Sequence, residues 1–220
     1  LEMTSQVFVA DTILTGPEGR VQILFNDDTI LAQGPDSEST LADYTYLAGE
    51  EADSRFLLDM TEGTFRVITG KIVEDNPDEG FRMQTPLAVI GIRGTMTGHQ
   101  VRAGEEHHFS LDLHGNHTVD IQSRFDNSLL SMDEDFQAVD ITPGMPMGDT
   151  RRMTPEEQQF MTDSTGITQF NPIPGVNPAA NPPGPGPMVT PDGTVIYADG
   201  TTIMPDGSII NPDGSLVSSE

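Results

Sequence analysis

Five histidines lie close together: His99, His107, His108, His114 and His117. Clustered imidazoles are the pattern that most readily holds a transition metal. The spacing argues against that chemistry. His107 and His108 are neighbours, so on a strand they face opposite sides, and no carboxylate completes a usual ligand spacing. The cluster is read as the solvated edge of a hairpin. The acidic pairs Asp27-Asp28, Glu50-Glu51 and Glu105-Glu106 are adjacent too, so strand geometry parts them and no carboxylate dyad forms. Gly91-Ile92-Arg93-Gly94-Thr95 lacks the Lys and the following helix of a phosphate loop, no Gly-x-Ser-x-Gly elbow occurs, and the chain has no Cys. An enzyme is therefore not expected, nor a cofactor. Weak calcium binding is the one ion considered, at the oxygen-rich Asp-Gly turns of the C-terminal segment.

Composition narrows the partners. The 220 residues carry 35 Asp and Glu against 10 Lys and Arg, a net charge of -25. Such a surface repels nucleic-acid phosphates and anionic lipid. No apolar run is long enough for membrane insertion. The first residue is Leu1, which fits either a removed leader or an artificial N-terminal addition.

The elements that would carry these residues are mostly strands. Val7 and Val9 alternate with polar neighbours, and Val21, Ile23 and Phe25 repeat with period two. Phe56–Met60, Phe65–Ile68, Phe81–Met83 and Leu87–Ile92 continue the series, with turn signals at Gly16-Pro17, Gly34-Pro35, Gly63, Gly70, Asn76-Pro77 and Gly80. The reading is an all-β domain over 1–150, solenoid-like or sandwich-like. Phe109, Leu111 and Leu113 alternate as Val119 and Ile121 do. A three-residue loop His114-Gly115-Asn116 would pair Leu111 with Val119 and Phe109 with Ile121, keeping the apolar faces together. One short helix is expected within 151–168. Thr154 is its N-cap, Pro155 its first residue and Glu157 the partner in a capping box, and it ends near Thr165-Gly166.

From 169 to 190 the chain is rich in Pro and Gly and reads as an extended linker; as polyproline II at ~3.1 Å per residue it would reach beyond its own domain. Over 191–220, Asp192-Gly193, Asp199-Gly200, Asp206-Gly207 and Asp213-Gly214 recur every seven residues. Pro, Asp and Gly are turn formers, so this is a repeat of very short strands, a meander or a narrow solenoid.

Several strings resemble the FecR-type domain, the extracytoplasmic module named after regulators of iron-citrate uptake. They are Asp11–Gly16, Gly19–Phe25, Asp28-Thr29, Gly34–Ser37, Glu62–Arg66, Thr69–Ile72, Asn76-Pro77, Thr85-Pro86 and, most specific, Ile90-Gly91-Ile92-Arg93-Gly94-Thr95. The likeness runs over about residues 7–142. It implies an all-β domain outside the cytoplasmic membrane. In the signalling regulators that domain relays receptor occupancy to a membrane-crossing segment and a sigma-factor-binding part; neither companion, nor the family's small α/β receptor-contacting module, is seen here. Gly91, Arg93, Gly94 and Thr95 are read as a structural motif, the glycines permitting a bend and Arg93 pairing with a carboxylate.

The tail carries the functional expectation. Strands this short are marginal alone, while Val195, Tyr197, Ile203, Ile209, Ile210, Leu216 and Val217 need cover. Docking these side chains on a neighbouring copy would build a polymer. The leading expectation is an extracellular or cell-surface structural protein, with periplasm as the other location, that assembles with itself into a filament or surface layer. The alternatives are a FecR-like signalling or sensing module that binds a protein partner, and a fragment of a surface adhesin.

Overall fold

A computed structural model describes residues 5–46, 54–77, 80–113 and 117–166, together with the backbone of five two-residue strands between 188 and 217. The chain divides into two units, one comprising Phe8–Phe170 and one containing the tail strands. The larger unit is all-β, as the period-two alternation predicts. Its strands are β1 (Thr12–Thr15), β2 (Val21–Leu24), β3 (Ile30–Gln33), β4 (Ser37–Thr45), β5 (Arg55–Ile68), β6 (Phe81–Gln84) and β7 (Ala88–Ile92). They continue as β8 (Thr95–Arg102), β9 (Glu105–Leu113), β10 (Val119–Ser123), β11 (Leu129–Met132), β12 (Gln137–Ile141) and β13 (Arg151–Arg152). A single helical turn, α1 (Ile72–Asp75), follows β5, and α2 (Pro155–Thr165) follows β13.

Two sheets share β5. Its first half pairs with β4 and, in parallel, with β6, and that sheet runs β1-β4-β5-β6-β7-β10-β11. Its second half pairs with β3 and β8, in a sheet ordered β2-β3-β5-β8-β9-β12-β13. Gly63 is where the strand passes from one sheet to the other. Its φ is +122°, and a Cβ there would sit 2.0 Å from the Ser37 Oγ, which accepts the Thr64 N–H at 3.0 Å. Only glycine tolerates both demands. Thus the expected turn at Gly63 is a bend inside one long strand.

Most side chains between the sheets are apolar and closely packed. Phe56 stacks on Phe81 with centroids 4.3 Å apart and meets Phe25 edge-on at 4.9 Å. Leu58, Met60, Phe65, Val67, Met83, Ile90 and Ile121 are fully buried. The Tyr44 hydroxyl bonds the buried Asp27 carboxylate at 3.1 Å, and burial together with that anion raises the phenol's pKa.

Helix α2 covers the outer face of the second sheet. Phe109, Leu111, Ala138, Met153 and Met161 form one buried cluster there. Gly98 makes room for it, because a Cβ at that position would lie 2.7 Å from Met161 Cε. The helix begins and ends as its sequence predicts. Thr154 and Glu157 form the capping box, and Gly166 terminates the helix at φ 70°. Arg20 then binds the last turn, with Nε donating to the Ser164 carbonyl at 3.0 Å.

Two expectations need correction. Val7 and Val9 precede the first strand, and Val9 is exposed. The Phe109–Ile121 hairpin does not exist. Phe109 is paired with Ala138 and Gly98, whereas Ile121 is paired with Ile90 and Leu130. The segment between β9 and β10 links two sheets, so matched alternation reflects two similar half-buried strands rather than a shared pair.

In the tail, β14 (Met188–Val189), β15 (Val195–Ile196), β16 (Thr202–Ile203), β17 (Ile209–Ile210) and β18 (Leu216–Val217) pair in chain order, all antiparallel. This is the meander rather than the solenoid, and β14 lies in the span read as linker. Val195, Ile203, Ile209, Ile210, Leu216 and Val217 occupy these strands, while Tyr197 and the Asp-Gly turns lie outside the described residues.

Candidate functional site

The Gly91–Thr95 string turns the chain from the first sheet into the second. Gly91 sits in β7 opposite Asp120 and Arg82. Gly94 has φ +70°, with His117 packed where a Cβ would be and its Nδ1 2.7 Å from the Gly94 carbonyl. Thr95 is buried, and its N–H donates to Thr69 Oγ1 at 2.8 Å. Arg93 is exposed, and its backbone N–H donates to the Thr118 carbonyl at 3.2 Å.

A buried polar array lies between the sheets, built by the hairpin β8–β9. The two-residue loop Ala103-Gly104 pairs Arg102 with Glu105, and counting back places His99 opposite His108. Period two then puts Thr97, His99, Glu106 and His108 on the inner face, where all four are fully buried. Thr97 Oγ1 lies 2.9 Å from His99 Nε2, and His99 Nδ1 lies 3.1 Å from His108 Nδ1. His108 Nε2 is 3.3 Å from Glu106 Oε2, close enough for attraction but without a well-directed hydrogen bond. Glu106 reaches across to the first sheet, accepting from Thr85 Oγ1 at 2.5 Å and from the Leu87 N–H at 3.1 Å. The expectation of a solvated histidine edge is thus corrected for His99 and His108. Burial, reinforced by the facing His108, holds the His99 pKa well below the usual imidazole value. The ring nitrogens allow two tautomer arrangements, in which His99 Nδ1 either donates to His108 Nδ1 or accepts from it. Among the described residues no group of three potential ligands could hold a metal ion.

A second polar centre fixes α2. Arg151 binds Asp140 through Nε at 2.6 Å and Nη2 at 2.8 Å, and Glu157 through Nη2 at 2.6 Å and Nη1 at 2.9 Å. The hydrogen bonds it donates to Glu157 and Asp140 push the guanidinium pKa up. Glu157 is lowered chiefly by its hydrogen bond from Arg151. At Asp140 partial burial raises the pKa, but bonds from Arg151 and His107 outweigh it and the net shift is down. His107 therefore belongs to this centre, with Nδ1 2.6 Å from Asp140 Oδ1.

The outer end of the first sheet is of another character. Strand β11 pairs with β10 alone among the described residues. Leu129 and the nearby Phe125 are exposed by 62% and 59%. Phe125 also lines a shallow cleft of about 210 Å³ with Pro86, Leu87, Ile141 and Pro143. Sequence reasoning passed over this edge because Phe125 lies in a polar turn and the four-residue strand Leu129–Met132 is too short to show period two.

Comparison with known proteins agrees with this architecture. Residues 11–114 match the family described as FecR protein. The chain carries a FecR domain. Two crystal structures of a proposed anti-sigma factor from Parabacteroides distasonis ATCC 8503 share its fold. One aligns with TM-score 0.51 and 12% identity over 69% of this chain and 63% of that one. The other gives 0.50 and 12% over 68% and 63%. This chain therefore spans less than two thirds of those proteins. No curated protein matches it. The FecR domain corrects the leading expectation of a filament or surface-layer protein. A FecR domain with the fold of that neighbour favours the alternative, a signalling or sensing module.

Proposed function

We propose that the protein is an extracytoplasmic module of FecR type that takes part in signalling by binding a protein partner. The observation that supports this reading is the FecR match over residues 11–114. It coincides with the part of the chain in which β5 joins two packed sheets. The fold likeness to a proposed anti-sigma factor is consistent with it. The titratable side chains His99, His108 and Glu106 are fully buried, out of reach of a substrate, and Arg151 is engaged in holding α2. No helix among the described residues is long and apolar enough to cross a membrane. A module of this kind works as a discrete particle. Sedimentation velocity on the intact chain should therefore give one species near the 23.8 kDa monomer mass at high concentration. Growth into open-ended polymer would refute the reading.

A further inference from the structure

We infer that strand β11 is a docking edge that takes an extended, apolar peptide strand with basic flanks from the partner protein. The inference deepens the proposed function and rests on it. The backbone gives the first argument. The Ser123 N–H donates to the Ser128 carbonyl at 2.9 Å, and the β10–β11 register places Ile121 opposite Leu130 and Val119 opposite Met132. Hydrogen-bonded pairs alternate along an antiparallel ladder. Leu130 and Met132 therefore bond inward to β10, as the Ser128 carbonyl does, while the Ser128 N–H donates to Asp126 Oδ1. The N–H and C=O groups of Leu129 and Ser131 point outward, where an added strand would meet them.

The side chains give the second. Leu129 stands exposed on this edge, and Phe125, in the turn that leads into it, is exposed as well. An added strand would find the Leu129 side chain to pack against. Charge decides the occupant. Asp126 is exposed at one end of β11, and Asp133, Glu134 and Asp135 are exposed at the other. Pairing β11 with its own copy around a two-fold axis would bring Asp126 of one protomer beside the acidic corner of the other, in a chain of net charge -25. A strand carrying Arg or Lys at both ends meets the same carboxylates with the opposite sign.

The probe is a fluorescent peptide of alternating valine and threonine with two arginines at each end, titrated into the full chain by anisotropy. Binding should weaken with salt and be lost when glutamates replace the arginines. Ser131→Pro removes one outward N–H and leaves the β10 backbone ladder in place, though it also loses the Ser131 Oγ bond to Asp120, and should weaken binding about tenfold. Leu129→Lys, at a position 62% exposed, should weaken it at least as much. Hydrogen exchange should show the Leu129 and Ser131 amides open in the free chain and protected by the peptide. Binding that ignores both substitutions, absence of binding, or amides already protected without peptide would each overturn the inference. Protection that deepens with protein concentration would identify a second copy as the occupant instead. A signalling defect on gene deletion that survives any of these results would leave the proposed function standing and remove only this surface.

Discussion

Acidification should destabilise the larger unit through one side chain, His99. This imidazole is fully buried between the sheets, and its surroundings depress its pKa well below the usual value. In the unfolded chain it titrates near 6.5. Below that pH the unfolded state binds a proton that the folded state refuses, so stability is complete above about pH 6.5 and declines as pH falls. At pH 5.5, one unit below the unfolded value, the expected loss is RT ln(1 + 10), about 1.4 kcal/mol. The Asp140 and Glu157 carboxylates, whose folded pKa values are also lowered, add their losses only at more acidic pH. Urea unfolding followed by far-UV circular dichroism at pH 7.5 and 5.5 measures the difference. The variant His99→Gln keeps a polar group in the array and removes the titration. It should be less stable at pH 7.5 but lose much less on acidification. Parallel loss in the two proteins would refute the reasoning, and so would wild-type stability that rises as pH falls.

Three further perturbations probe the packing. Gly63→Ala places a Cβ 2.0 Å from Ser37 Oγ at a φ of +122°, and thermal unfolding should show a loss on the order of 3 kcal/mol or more. Met161→Ala empties the cluster between α2 and the second sheet and should cost about 2–4 kcal/mol by the same measurement. Arg151→Ala removes bonds to Asp140 and Glu157 from a side chain one third exposed. After solvent screening the loss should be about 1–2 kcal/mol, shrinking as pH falls and both carboxylates protonate.

Much of this molecule can be read without coordinates, and the failures have physical causes. Helix α2 was legible down to its end residues because Thr154, Pro155, Glu157 and Gly166 each satisfy a local backbone requirement. The strands were legible from period two, but their partners were not. β9 and β10 have the same alternation, and nothing local tells Phe109 that its neighbours are Gly98 and Ala138 rather than Ile121. The buried array was missed because histidine and glutamate read as solvent-facing. The available signal was the two-residue loop at Ala103-Gly104, which sets His99 opposite His108. The bend at Gly63 and the recess above Gly98 depend on what packs against them from distant segments, Ser37 in one case and Met161 in the other.

The signalling role is tested most directly by deleting the gene in its source organism and sequencing the transcripts, with the intact gene restored as control. The account predicts that a limited set of genes sharing one promoter element changes expression and returns to normal on complementation. An unaltered transcript profile under conditions in which the protein is abundant would contradict it.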